Sequence, residues 1–489
     1  MTGVGAGRVD ATLAGGDRSV DCDRWDGTGT LFAALWAFAL ISHVWNQGSG
    51  PLSADPLADP LYWLVLVAGV GVLLRPRSGL ALLVLAGAAV VAVIWRMPSI
   101  ANHWYLVGLV SAGLLVSGVR LRDVRPFTSD RVVAHAAPYV RLTLLLGYGA
   151  AAVSKLNRTF VDPEHSCATR FAEDAAGFWG LSLPAGEGCQ QVLAWSVAGI
   201  EIAIPLLLLM RPTRGLGIVI AAFFHLAMAS TPHVRVLDFT AILIALLVLF
   251  APSTFSSRVR KLAGWLHPRT PLLRSIFAPT WVRVSLGLLL VAVVGLRGLV
   301  LPVDRWPVLA WMAMLGSWTA IACLGSWALV HRWRRGPANA RLPLRPGVWG
   351  HWVLVAITLL IAAGPYLGLR TQGSFTMFSN LRTEQGVSNH YFLPSADLFG
   401  MQHDYVEIVA STDDRLEAAS EHGELVHELE LRRRLSRDPS QPITFVRDGE
   451  IHDLERAADR DHLVTVGFWE GKLLHFRNIP QEGPPPCRH

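Results

Sequence analysis

Residues 79–96 read Gly-Leu-Ala-Leu-Leu-Val-Leu-Ala-Gly-Ala-Ala-Val-Val-Ala-Val-Ile-Trp-Arg, an unbroken apolar run closed by a tryptophan and an arginine. As a helix, with about 1.5 Å of rise per residue, such a run crosses most of the ~30 Å of bilayer hydrocarbon. Helix is the form lipid demands, because it satisfies every backbone donor and acceptor within the segment. Runs of the same kind recur at 29–46, 61–75, 101–118, 137–157, 190–210, 214–231, 236–251, 282–301, 308–330 and 347–368. The runs at 61–75 and 236–251 are short. The pattern predicts an all-α polytopic integral membrane protein with about 11 transmembrane helices.

Composition agrees. The chain is 52% hydrophobic and only 16% charged, which excludes an ordinary soluble enzyme, and its 18 tryptophans suit the two water interfaces of a bilayer. The net charge of +6 does not point to nucleic acid, because the basic residues sit in alternate loops. Arg75 and Arg77, Arg120 to Arg131, Arg211 and Arg214, Arg258 to Arg274, and Arg332 to Arg345 fall on one side. The intervening loops are poor in cations. The asymmetry predicts a multi-pass protein of the cell membrane with a cytoplasmic amino terminus and an extracytoplasmic carboxyl terminus.

The ends differ from the middle. Residues 1–28 are Gly- and Asp-rich with no positively flanked apolar core, so they read as a disordered cytoplasmic tail rather than a signal peptide. Gly3, Gly5 and Gly7 follow no strand and make no nucleotide loop. Residues 29–255 form a membrane core, 256–369 add further membrane helices, and 370–489 are polar and acidic. The last region predicts a small extracytoplasmic α+β domain, with a strand at 405–410, a helix over 415–435 and a tight hairpin at Asp448-Gly449. No internal repeat is evident. Among the five cysteines, Cys167 and Cys189 share one outer loop and are the expected disulfide, and no Cys or His spacing has the form of a metal site.

Ionisable groups inside spans are costly, and each is a functional candidate. Lys155 stands out, since the chain has only Lys155, Lys261 and Lys472 among many arginines. An arginine stays protonated, whereas a buried lysine can lose its proton and act as a base. A lysine that only snorkels from a helix end to the interface is the plain alternative. The predicted topology sets Asn102, His103, Tyr148, Lys155, Glu201, His225 and Asp238, with His233 in the loop before Asp238, in the outer half of the membrane. They form either a proton-handling site or an interhelical packing network. Residues 368–384, with Asn389 and His390, mix aromatics with hydrogen-bonding groups and are expected on the membrane surface, over the opening of the site or as an anchored linker.

Three motifs carry a resemblance. Ile100-Ala101-Asn102-His103-Trp104-Tyr105-Leu106, the helix end Tyr148-Gly149-Ala150-Ala151-Ala152-Val153-Ser154-Lys155-Leu156-Asn157, and Phe223-Phe224-His225 occur in that order. Over roughly 29–255 the chain is similar to the vitamin K-dependent gamma-carboxylase family, including its bacterial relatives with a horizontally transferred transmembrane (HTTM) domain. The resemblance implies that Lys155 is the base acting on a hydroquinone, that His103 assists it, and that His225 matches a Phe-His of a later helix. It further implies a reduced quinone of menaquinone or vitamin K type, with O2 and CO2, and a lyase-class carboxylation or quinol epoxidation. The family's lysine pair is Ser154-Lys155 here. Residues 370–489 are small beside the region that grips the carboxylases' protein substrate, so a protein and a small-molecule substrate both stay open. Two rival classes also stay open: a proton-coupled transporter or lipid-binding protein, and a non-catalytic scaffold presenting the outer domain.

Overall fold

The computed structural model describes residues 27–46, 60–184, 186–232, 236–266, 306–330, 342–485 and 487. The helical part comprises α1 (Thr28–Asn46), α2 (Pro60–Leu74), α3 (Gly79–Arg96), α4 (Asn102–Arg120), α5 (Ser129–Ser154), α6 (Cys167–Phe178), α7 (Glu187–Leu209), α8 (Arg214–Met228), α9 (Leu237–Leu247), α10 (Phe255–Leu266), α11 (Trp306–Val330) and α12 (Trp349–Leu367). Among the described residues, six helices are long and apolar enough to cross a membrane: α3, α4, α5, α7, α12 and, over Trp311–Val330, α11. Helices α1, α2 and α8 are apolar but shorter. Residues 237–250 and 255–262 would make one further span only as a pair bent by 117°. The expected run at 282–301 lies outside the described residues, so the count of about eleven is not reached here.

Local chemistry sets several boundaries. Ser78 caps α3 by accepting from the Ala81 N–H at 3.2 Å, and Thr128 caps α5. Helix α5 begins well before the apolar run at 137 because its first turns, though polar, pack into the bundle and carry Pro138 through the interior. Helix α12 stops at Gly368, whose left-handed φ of 75° suits a helix C-cap. Inside the bundle, Gly113 lets α4 approach the Tyr139 ring of α5, where an added Cβ would sit 2.2 Å from a ring carbon. The core of the bundle is built from fully buried side chains such as Phe32, Trp36, Leu40, Leu82, Leu114 and Trp318.

Residues 405–480 carry a five-stranded antiparallel sheet of order β4-β3-β1-β2-β5. The strands are β1 (Tyr405–Ser411), β2 (Glu424–His427), β3 (Ile443–Arg447), β4 (Glu450–Leu454) and β5 (Ile479–Pro480). Helices α13 (Asp414–Glu421) and α14 (Glu428–Leu435) cover it, and Val406, Ile408, Leu416, Leu431 and Phe445 form its core. The predicted hairpin is present: Arg447 pairs with Glu450 across Asp448 and Gly449, both with positive φ as a primed turn requires. The single helix expected over 415–435 is instead two. Gly423 turns left-handed at φ 62°, and the next four residues form β2, of which Leu425, Val426 and His427 pair with β1.

The cysteine expectation is also overturned. Cys167 is bonded to Cys487, with Cα atoms 5.1 Å apart, while Cys189 is free and exposed. A shared loop did not bring Cys189 close, because Cys167 is buried at the start of α6 and Cys189 lies in the exposed first turn of α7. Under denaturing, non-reducing conditions Cys189 and Cys323 should alkylate while Cys167 and Cys487 do not. Full alkylation of Cys167 without reductant would contradict the bond. Cys487→Ser should lower stability by about 2–4 kcal/mol, the usual range for a native disulfide.

The loop charges yield a topological prediction. With the native free cysteines replaced, Ser253→Cys should be protected from an impermeant thiol reagent in intact cells, and Ser440→Cys should react. The reverse pattern would invert the orientation.

Candidate functional site

Helices α3 and α4 meet at residues 97–101, α5 ends at Lys155, and α9 starts beside His225. These ends surround a cavity lined by Asn102, His103, Tyr148, Lys155, Glu201 and His225 among apolar side chains. The space within it that a water can reach is about 60 Å³. All seven membrane residues picked from the sequence thus come together, with Asp238 directly behind His103. His233 lies outside the described residues.

Three pairs organise the polar wall. Lys155 is the C-cap of α5, where the chain leaves the helix and turns its side chain inward. Its Nζ lies 2.8 Å from Glu201 Oε2 on α7 and donates to the Met377 carbonyl at 3.1 Å. The second pair joins the Tyr148 hydroxyl to His225 Nε2 at 2.9 Å, leaving His225 Nδ1 buried without a hydrogen-bond partner among the described residues. The third is Asp238, whose Oδ2 meets His103 Nε2 at 2.9 Å and also His43 Nδ1. A carboxylate that engages one ring nitrogen fixes the imidazole's orientation and leaves its other nitrogen for the cavity.

His43, His103 and Asp238 are close enough together to hold a cation. Against that use, the Trp104 indole N–H donates to His43 Nδ1 at 2.7 Å, and this is the lone pair a metal would need. The trio reads better as a proton-sharing network. Sequence reasoning missed His43, although it is the one ionisable side chain in the apolar run 29–46 and the rule used for the other spans selects it.

The segment after α12 was expected on the membrane surface, over the opening of the site or as an anchored linker. It is mostly buried, and it roofs the cavity with Phe375, Met377 and Phe378. Phe375, Phe378, Asn380 and Gln385 all have positive φ near 50–57°, a strained state for such side chains that surrounding contacts must hold. Those contacts are explicit. Asn157 Nδ2 donates to the Ser379 carbonyl at 2.6 Å, and Asn389 Nδ2 donates to the Asn380 carbonyl at 2.8 Å. Asn380 accepts from the Cys167 N–H at 2.9 Å and donates to Pro485 O at 3.2 Å, beside the disulfide. His390 Nε2 bonds the Val153 carbonyl at 2.8 Å. Beyond the roof, burial alone would raise the Glu384 carboxyl, but Arg477 at 2.7 Å holds it below the usual carboxylate range.

Fold and cavity together define a polytopic helical membrane protein with a partly open site among its helices that ionisable side chains line. Residues 49–254 match the HTTM domain. The chain therefore carries an HTTM domain, and every α4, α5, α7, α8 and α9 residue of the site lies within it, whereas His43 and the roof lie outside. No curated protein and no solved structure matches the chain.

Proposed function

We propose that the cavity takes a reduced quinone and that the Lys155–Glu201 pair removes a proton from its ring hydroxyl. The observation that carries this reading is a cation-and-carboxylate pair in a cavity that Leu106, Leu144, Phe239, Leu243 and Phe375 line together with Asn102, His103, Tyr148 and His225. A hydroquinone has that shape: a flat apolar body with a hydroxyl at each edge. The unpaired His225 Nδ1 and the imidazole of His103 give the ring oxygens further partners.

Within the pair Lys155 is the base: its neutral amine takes the hydroxyl proton, while Glu201 positions the amine and faces the ammonium it becomes. The step adds one proton to the pair and ends with a positive group against an anion, in a site where little water screens them. Asp238 holds His103 in place, and Met377 O holds the amine. Following the resemblance, a reduced quinone of menaquinone or vitamin K type supplies, with O2, a base strong enough to take a carbon-bound proton from a substrate that can then accept CO2.

The test is purified protein in lipid nanodiscs with reduced menaquinone and oxygen. Wild type should consume oxygen and form the quinone epoxide, and Lys155→Ala should not. Equal product from both, or none from wild type, would remove the reading.

A further inference from the structure

Two separate stretches of the cavity-side region are folded inside out. In 391–399 the polar side chains turn inward: the Ser395 hydroxyl donates to Gln402 Oε1, and Asp397 Oδ2 accepts from the Gln402 N–H at 3.1 Å. The apolar ones point away from the protein, with Phe392, Leu398 and Phe399 at 75%, 63% and 64% exposure. The short helix Phe468–Leu473 repeats the arrangement. Glu470 pairs with Arg432 at 3.0 Å and Lys472 Nζ donates to the Met97 carbonyl at 2.9 Å and to that of Trp95, while Phe468 and Trp469 are 66% and 65% exposed.

In water this inversion is unfavourable at every one of these side chains, and exposed apolar clusters of this kind mark a covering partner. Their position identifies the partner. The Ala396 and Leu398 N–H groups donate to Tyr366 O at 2.7 Å and Leu367 O at 3.2 Å, the last residues of the membrane-spanning α12. Lys472 is tied to the end of α3, where Trp95 itself is exposed. Both patches therefore continue the lipid-facing surface of spans at the level where those spans leave the hydrocarbon, the depth at which Trp, Tyr and Phe partition into the interface. We propose that the region after α12 is seated on the bilayer, with 391–399 and 468–473 immersed in the lipid headgroup boundary on the cavity side. The sheet domain then rests on the membrane at two points, flanking the roofed site, rather than projecting into water.

The experiment is site-directed spin labelling of the full chain in lipid nanodiscs, with Cys22, Cys189 and Cys323 replaced by serine. Labels go singly at Phe392→Cys, Leu398→Cys, Trp469→Cys and Leu473→Cys, with Ser440→Cys and Glu450→Cys as controls on the sheet domain. In power saturation, the first four should collide with oxygen more often than with a water-soluble nickel chelate, and the controls should do the opposite. Brominated lipids should broaden or relax the same four signals only. Chelate-dominated relaxation at 392 and 398, or at 469 and 473, would overturn the proposal. Because neither patch touches the cavity pairs, this outcome is independent of quinone chemistry.

Discussion

Lys155→Arg is expected to lose quinol-dependent turnover by at least ~10²-fold, the usual loss when a general base is removed. Arginine keeps the charge, so it can still meet Glu201 and the Met377 carbonyl, and expression and thermal stability should change little. What it lacks is a proton that can leave near neutral pH. The acceptor itself, a neutral amine, is then gone. His103→Ala should lower the same activity, and the double variant should be little worse than the weaker single one, because groups acting as a unit are not additive. If Lys155 only snorkels, arginine serves as well and turnover is retained. Wild-type rates in Lys155→Arg would therefore end the catalytic reading.

Asp238→Ala is expected to cost both stability and activity. Its carboxylate is buried, and one oxygen serves two buried imidazoles. Removing it leaves the buried His103 Nε2 without its partner, at about 1–3 kcal/mol for a buried unsatisfied group, whereas His43 Nδ1 still accepts from Trp104. A loss of about 1–3 kcal/mol should appear as a lower midpoint in thermal unfolding. Asp238→Asn separates the two effects. It keeps one carbonyl oxygen as acceptor, so most stability should return, but it lacks the charge that orients His103, and turnover should stay low. Full stability in Asp238→Ala would show that the trio is not the packed network described here.

Much of the helical layer was legible because an apolar run of span length has few other uses. The run at 79–96 is α3, and the one at 101–118 is α4 less a residue or two. The site was legible for a related reason. Placing His103, Lys155, Glu201, His225 and Asp238 in spans is costly enough that each already stood out, and alternating loop charge put them in one membrane half. What could not be read was irregular or remote. The roof over 370–390 has four non-glycine residues with positive φ, and no periodicity announces it. Cys487 lies 320 residues from its partner, so spacing carried no information about the bond. The division of 415–435 turned on Gly423 alone, where β2 outcompeted helix through pairing with β1. The interfacial patches escaped because Phe392 or Trp469 has meaning only once the polar neighbours are seen to face inward.

The central claim is that this cavity takes a hydroxyl proton from a reduced quinone, and it can be tested without turnover. Under anaerobic conditions, reduced menaquinone added to the protein in nanodiscs should show the ultraviolet spectrum of a singly deprotonated hydroquinone on binding. Lys155→Arg should bind it with the spectrum of the neutral form. A neutral spectrum with wild type, at saturating bound quinol, would contradict the account.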